Sequence, residues 1–248
     1  MNGAFYIAAT GLRAQQGALD VTANNIANLN TSGFKRASVR FSEMVASGQA
    51  TVEGVQPSGV ASSGAERVFT QGDLRETGGS MDLAIRGDGF IELMAPSGRS
   101  VLWRGGALKV GEDGFLSAAN GMSLRGMIAV PTGAQDLLIS ADGRVSAIFD
   151  DQTRNEIGRI DLTMVRDSAA LSAIGEGLYE LTDGARATTL AAGEDGAGLL
   201  VQGSVEASNV QISDEMVTLL LTQRAYAANA QVVQAGDQLM AIANGLKR

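Results

Sequence analysis

The chain contains no cysteine and no histidine among its 248 residues. Without cysteine it can form neither disulfides nor a thiolate nucleophile. Without either residue it lacks the usual ligands of zinc, and it also lacks the most common general base. Catalytic groups built on a Ser–His or Cys–His pair are therefore excluded. Mechanisms based on carboxylates, lysine or tyrosine survive, but most enzyme classes are disfavoured, and no catalytic residue, cofactor or metal is expected.

Clustered basic residues and long apolar runs are also missing. The 19 lysines and arginines are dispersed and face 27 acidic residues, which gives a net charge of -8. This balance argues against nucleic acid as a partner, because phosphate contacts need clustered cations. No run of about 18 apolar residues occurs, so direct membrane insertion is not expected. Gly3, Gly11 and Arg13 interrupt the N-terminal apolar stretch, so the pattern of a cleaved secretory signal is not met.

The middle of the chain has the pattern of an antiparallel β domain. Apolar and polar residues alternate over 81–85 and 160–164, which is the period of a β-strand. The segment 46–64 is rich in Ser, Gly and Ala without strong periodicity, and it is predicted to be an extended connector. Dipeptides that favour tight turns punctuate the β region: Asp88-Gly89, Asp113-Gly114, Asn120-Gly121, Asp142-Gly143 and Asp183-Gly184.

The two ends of the chain have a different period, of seven residues, which predicts helices over about 3–27 and 213–246. A stripe of larger apolar residues and alanines follows each helix. The N-terminal stripe comprises Phe5, Leu12, Leu19 and Ile26. The C-terminal seam comprises Thr218, Ala225, Val232, Leu239 and Leu246 at one heptad position, and Leu221, Ala228, Ala235 and Ile242 at the other. Spacing alone leaves two interpretations open: the helices pack within one monomer, or they pair with neighbouring chains.

An asparagine-rich stretch follows the first helix. Asn24, Asn25 and Asn28 precede Gly33 and Phe34, and such residues favour the end of a helix and a chain reversal. A single turn does not need so many amides. These five residues are predicted to shape the exit from the helix, through amide hydrogen bonds or through contacts with another subunit.

Two long segments at opposite ends resemble the signatures of the flagellar rod and hook family of axial proteins. They are TGLRAQQGALDVTANNIANLNTSGFKR (10–36) and LVQGSVEASNVQISDEMVTLLLTQRAYAANAQVVQAGDQLM (200–240). The segments 72–93 and 138–149 resemble the β-domain motifs of rod proteins, so the likeness covers nearly the whole chain. The segment after Phe41 lacks the longer insertion of the distal-rod type, which favours a proximal-rod type, whereas TGLRAQQ and TQRAYAANAQ look more like the distal-rod type.

The resemblance implies an α+β fold in which N- and C-terminal helices form a coiled-coil domain beside a central, mostly antiparallel β domain. Residues 1–30 and 206–248 would form the inner helical domain, 31–71 an extended connector, and 72–205 the outer β-rich domain. The coiled-coil contacts would be made by Phe5, Leu12, Leu19, Ile26, Leu221, Ala228, Val232, Leu239 and Ile242.

The same resemblance implies a structural function. Family members leave the cell through the flagellar export apparatus without a cleaved signal. They form homo-oligomers and assemble with other rod and hook proteins into a helical tube that crosses the periplasm, transmits torque and encloses the export channel. Two alternatives remain from other classes: a soluble β-rich adhesin or binding module, and a cell-wall hydrolase that would need a pair of carboxylates in a cleft.

Overall fold

The computed structural model describes residues 2–45, 57–151, 153–175, 177–182 and 184–245. Two helices stand at the ends of the described chain, α1 Asn2–Ala27 and α2 Ile212–Gly245. The strands between them are β1 Ala37–Val45, β2 Pro57–Arg67, β3 Leu74–Glu76, β4 Asp82–Arg86, β5 Phe90–Met94, β6 Ser100–Trp103, β7 Gly105–Val110, β8 Leu116–Ala118, β9 Ser123–Leu124, β10 Asp136–Ile139, β11 Arg144–Ile148, β12 Arg154–Arg159, β13 Asp161–Val165, β14 Leu171–Gly175, β15 Leu178–Leu181, β16 Ala187–Ala191, β17 Leu199–Gln202 and β18 Ser204–Glu206.

The chain divides into two compact units. The first, called the helical unit here, comprises Met1–Leu29, Arg36–Val68 and Val210–Arg248. The second, called the β unit, comprises Asn30–Lys35 and Phe69–Asn209. The fold is therefore α+β, as predicted, with both terminal helices in the same unit.

In the helical unit, α1 packs against α2 and against an antiparallel hairpin formed by β1 and β2. The buried face of α1 carries small or polar side chains, which allow other backbones to approach closely. One example lies at Gly59 in β2, where the backbone is left-handed and an added Cβ would collide with Thr10. The buried residues of α1 are Ala8, Gly11, Ala14, Ala18, Thr22 and Asn25.

In the β unit, the strands of the largest sheet pair antiparallel in the order β14-β15-β6-β5-β9-β8-β7-β4-β17. Strand β13 also pairs with β5, and β16 pairs with β13. A smaller sheet has the order β10-β11-β12, and β18 pairs with β3. The main core lies between these elements and is dominated by aliphatic side chains, among them Leu83, Ile85, Ile91, Leu93, Leu116, Val145 and Leu162.

Most of the predicted elements are found in the structure. Both helices occur within a few residues of their expected bounds, and the alternating stretches form β4 and β13. The turn dipeptides at 113–114, 120–121 and 142–143 connect antiparallel partners, each with a left-handed glycine. Asp183, Leu246 and the part of the expected connector at 46–56 lie outside the described residues.

Candidate assembly surface

Helix α2 has two different faces, and the face turned to α1 carries small and polar residues. Glu215, Thr222, Asn229 and Gly236 recur every seven residues along it. Contacts between the helices run antiparallel. At Gly11 an added Cβ would lie 2.9 Å from the Asn229 amide, and at Gly236 it would lie 2.7 Å from the Phe5 ring. Because neither glycine has a side chain, the Asn229 amide and the Phe5 ring lie directly against the backbone of the opposite helix.

The tight contact at Gly236 predicts opposite effects of two glycine substitutions. At Gly17 in α1 an added Cβ meets no atom within 4 Å, so Gly17→Leu should raise stability by roughly 0.5–1 kcal/mol through its better helix propensity. Gly236→Leu should instead lower it by about 1–3 kcal/mol, because the new side chain collides with Phe5. Urea unfolding followed by helical circular dichroism tests this, and adding Phe5→Ala to Gly236→Leu should recover part of the loss. Equal effects at both glycines would contradict the close packing.

Another side of α2 presents large apolar side chains to solvent. We call Val217, Leu221, Val232, Leu239 and Ile242 the outer stripe. Their exposed fractions range from 52% for Val232 to 62% for Leu221. The five residues lie between about a sixth and about two fifths of a turn from the face that packs on α1.

The structure separates the predicted coiled-coil residues into two groups. Leu221, Val232, Leu239 and Ile242 belong to the outer stripe, and Ala228 is exposed beside them. The predicted residues of α1 are half-buried and flank its small-residue face: Phe5, Leu12, Leu19 and Ile26. The contact between α1 and α2 thus follows a second heptad pattern that the sequence prediction missed, because its residues are small or polar.

The asparagine stretch contains a buried hydrogen-bond network of the helical unit. The Asn25 amide pairs with the backbone of Ala37, donating to its carbonyl at 2.8 Å and accepting from its N–H at 2.9 Å. Asn25 also donates to Glu215 at 3.2 Å, and Arg36 donates to the other oxygen of the same carboxylate. This single network joins the end of α1, the start of β1 and the first turn of α2.

The other predicted turn residues have separate roles. Asn28 donates through its amide to the Asn24 carbonyl at 2.9 Å, closing the last turn of α1, while the Asn24 side chain is exposed. Gly33 and Phe34 belong to the β unit, where the left-handed Gly33 donates its N–H to the Glu206 carbonyl at 2.8 Å. The motif therefore ends a helix in one unit and begins the other unit.

Asn25→Ala is expected to destabilise the helical unit by about 3 kcal/mol. The substitution removes the partners of the buried Ala37 N–H and carbonyl and one partner of Glu215, and buried polar groups left unpaired are costly. Asn24→Ala is the matched control and should change stability by less than about 0.5 kcal/mol, because the Asn24 side chain is exposed. Urea unfolding followed at a helical wavelength measures both. Similar losses would exclude a special role for Asn25.

The β unit contains a buried cluster of two cations and one anion. Lys35 donates from Nζ to Glu206 Oε1 at 2.5 Å and to the Thr70 carbonyl at 2.9 Å. Arg104 donates from Nε to Glu206 Oε2 at 2.9 Å, and its terminal nitrogens donate to the carbonyls of Gly87 and Gly89. The three charged side chains are at most 4% exposed. Their hydrogen bonds link the segment that follows α1 to β18 and to the loop before β5.

The protonation of Lys35 predicts a pH dependence of stability. Burial lowers the pKa of Lys35 from its ordinary value of 10.5, and the neighbouring Glu206 carboxylate opposes that shift. Below 10.5 there is therefore an interval in which the unfolded chain binds more protons than the folded chain, so the contribution of Lys35 to stability rises with pH. The difference in unfolding free energy between the wild type and Lys35→Met should grow as the pH is raised from about 8 towards about 10.5. If the unfolding free energy of the wild type minus that of Lys35→Met decreases as the pH is raised, the predicted direction is wrong.

A cleft of about 340 Å³ in the β unit is lined by both acidic and basic residues. Glu92 accepts from Arg125 at 2.5 Å and from Thr163 at 3.4 Å, while Arg159 lies 3.6 Å from Asp161. Each carboxylate thus has its own guanidinium partner.

Within the part of the chain that the structure describes, no group of three or more acidic side chains is placed to hold a metal ion. Neither helix combines the length and apolar character needed for a membrane span.

Three family profiles match the parts of the chain that carry these features. They are a flagella basal body rod protein profile at residues 5–35, a flagellar hook protein FlgE/F/G D1 domain profile at 84–147, and a flagellar basal body rod FlgEFG protein C-terminal profile at 201–246.

Similarity to individual proteins extends over the whole length. The flagellar basal-body rod protein FlgG of Borreliella burgdorferi is 34% identical over 100% of both chains, and FlgG of Caulobacter vibrioides is 35% identical over 97% of each. The chain belongs to the flagellar basal-body rod family. As a member of that family it is a structural protein of the basal body and not an enzyme.

The expected proximal-rod type, FlgF, is not confirmed for this rod protein. FlgF of Caulobacter vibrioides is 32% identical over 94% of this chain and 93% of its own, compared with 35% for FlgG of the same organism.

Proposed function

We propose that this rod protein polymerises through the outer stripe of α2, which pairs with the terminal helices of neighbouring copies. The observation that supports the proposal is the exposure of the stripe while α2 is already packed on α1. A helix of 34 residues is about 51 Å long, so the stripe offers an extended line of contact. Contiguous exposed apolar surface of this kind marks a site of association.

The size of the stripe fits conditional assembly. Complete burial of a large aliphatic side chain contributes about 2 kcal/mol. Because 52% to 62% of each of the five residues is still exposed in the monomer, their burial on assembly would contribute roughly 6 kcal/mol per subunit before the cost of association. The free energy left after the cost of association is modest for one pair of copies. It becomes large when each copy contacts several neighbours, and growth on an existing end is then favoured over assembly in solution.

In this arrangement the helical units form the inner coiled-coil wall of a tube and the β units lie outside them. The tube crosses the periplasm, transmits torque and encloses the export channel. Its partners are further copies of the chain, other rod and hook axial proteins and the flagellar export apparatus. The half-buried residues Phe5, Leu12, Leu19 and Ile26 of α1 flank the face used within the monomer, and we assign them the edge of the same intersubunit contact.

The exposure of the stripe argues against the alternative function, a binding module with stabilising helices. In such a module the large apolar residues of α2 would be buried within the monomer. Hydrogen exchange of the free chain distinguishes the two, because a module would protect the amides of both helices fully without a partner.

Photo-crosslinking from the stripe tests the proposal directly. The chain has no cysteine, so Leu239→Cys places a single attachment point for a benzophenone maleimide on α2. Rods assembled from the labelled chain should give crosslinks between copies that map to terminal helices, and the dilute monomer should give none. Rods that assemble while the probe reacts only with its own chain would overturn the assignment of the stripe.

A further inference from the structure

The β unit contains one continuous run of strands with an open edge at each end. Antiparallel pairing connects β14, β15, β6, β5, β13 and β16 in that order. Among the strands that the structure describes, β14 pairs only with β15, and β16 pairs only with β13. Each outer strand therefore presents a row of backbone N–H and carbonyl groups to solvent.

These two edge strands lack the charges and prolines that often prevent pairing with another chain. Strand β14 reads LSAIG and β16 reads ATTLA, so neither contains a charged residue or a proline. Residues Ser172–Gly175 and Ala187–Thr189 are exposed, and Ile174 is an exposed large apolar side chain. Proteins usually protect such edges with charges, proline, bulges or a covering segment. The only irregularity here is a register shift between Ala173 and Gly175.

Two other edges of the β unit are protected. Strand β12 carries Arg154, Glu156 and Arg159 on the edge of its sheet. The edge of β17 is covered, because Leu200 donates its N–H to the Ala141 carbonyl at 3.1 Å. The edges at β14 and β16 lack the protection found at these two edges.

We propose that β14 of one copy pairs with β16 of the next copy, so that the sheet continues between adjacent β units of the rod. The occupant of each edge is a second copy of this chain, because the two edges match each other. Both have five residues, both are uncharged, and they stand at opposite ends of the same sheet. Different edges meeting head to tail form a heterologous contact, which generates an open helical polymer instead of a closed dimer.

The inference rests on the proposed function for the existence of a polymer, but it concerns a different surface from the outer stripe. Main-chain hydrogen bonds would supply affinity, as in other cases where a strand is added to a sheet edge. The threonines Thr188 and Thr189 favour such pairing, because β-branched side chains pack well across neighbouring strands.

Crosslinking between two cysteine variants provides the test. Ala173→Cys and Thr189→Cys place one thiol at the centre of β14 and of β16, on a chain that otherwise has none. Rods assembled from an equal mixture are treated with a short bismaleimide. Ser172→Cys with Thr188→Cys is a second pair at other positions of the same strands, in case one variant folds poorly. Glu156→Cys on the charged edge of β12 is the control.

We expect a crosslink between copies in the mixture. A chain that carries both Ala173→Cys and Thr189→Cys should give a ladder of multimers. Neither single variant alone, nor any pairing with the control, should give a crosslink. Crosslinks from the single variants alone would mean that like edges meet, which overturns the head-to-tail arrangement. Rods that give benzophenone crosslinks at Leu239→Cys but no edge crosslinks would overturn this inference and leave the proposed function standing. Failure of both sets of crosslinks in assembled rods would overturn both.

Discussion

Replacing both Leu221 and Leu239 of the outer stripe by aspartate is expected to abolish rod assembly while leaving the monomer folded. Both side chains are about 60% exposed in the monomer, so the substitutions remove little intramolecular packing. In the assembled rod each would place a carboxylate in an apolar contact, where burial of an unpaired charge costs several kcal/mol. Two such sites exceed the roughly 6 kcal/mol expected for the whole stripe once the lost leucine contacts are included.

The measurement is complementation in a motile bacterium whose own gene for this subunit is deleted. The variant should give no swimming and no isolated basal bodies with a complete rod, although the purified monomer retains its helical circular dichroism and unfolding midpoint. Val110→Asp is the matched control, because it changes an exposed aliphatic residue of β7 in the β unit. Normal rods from the double variant would show that the stripe is not an assembly surface.

The helices could be predicted from the sequence because a seven-residue apolar repeat is a strong local signal, and Leu221, Leu239 and Ile242 follow it. The same signal could not identify which faces of the two helices pack on each other within the monomer. The contact within the monomer uses Gly11 against Asn229 and Gly236 against Phe5, positions at which small size matters more than hydrophobicity. A search limited to large apolar residues finds the exposed stripe and misses the buried face.

The hairpin β1–β2 could not be predicted from the sequence, for a related reason. Its strands fall in the stretch predicted to be a connector, where Gly59 and Gly64 and several serines obscure any alternation of apolar and polar residues. The hairpin is held by pairing between its strands and by packing on α1, and both depend on residues distant in the chain. Local periodicity does not report such contacts.

The buried ions were the least predictable part of the candidate site. Charged side chains are almost never fully buried unless they are paired, and the partners here are far apart in sequence: 171 residues separate Lys35 from Glu206. In the sequence Glu215 is simply an acid in the first turn of α2, a position that the positive end of a helix favours. Its burial depends on Asn25 and Arg36, which contact it from a distant part of the chain.

Glu206→Gln is expected to destabilise the β unit by about 3–5 kcal/mol. The amide keeps the shape of the side chain but removes the only anion of the buried cluster. Lys35 and Arg104, which are 1% and 4% exposed, would remain buried without a counter-charge. Breaking a buried ion pair by removing one partner has a cost of this size, since the desolvation of the remaining charge is no longer offset.

The single tryptophan makes the loss measurable in the full chain. Trp103 is 5% exposed and adjoins Arg104, so its fluorescence during urea unfolding reports the β unit. Glu180→Gln is the control: it removes an exposed ion pair with Arg99 and should cost less than about 1 kcal/mol.

A second substitution distinguishes the loss of the negative charge at residue 206 from the change in the hydrogen bonds of that residue. Adding Lys35→Met to Glu206→Gln removes one of the stranded cations, so the double variant should be more stable than Glu206→Gln alone. If Lys35→Met brings no recovery, the damage comes from the altered hydrogen bonds of residue 206 to the Gly72 N–H and to Arg104. If it does, charge balance at the start of the β unit is what fixes the segment that follows the asparagine motif.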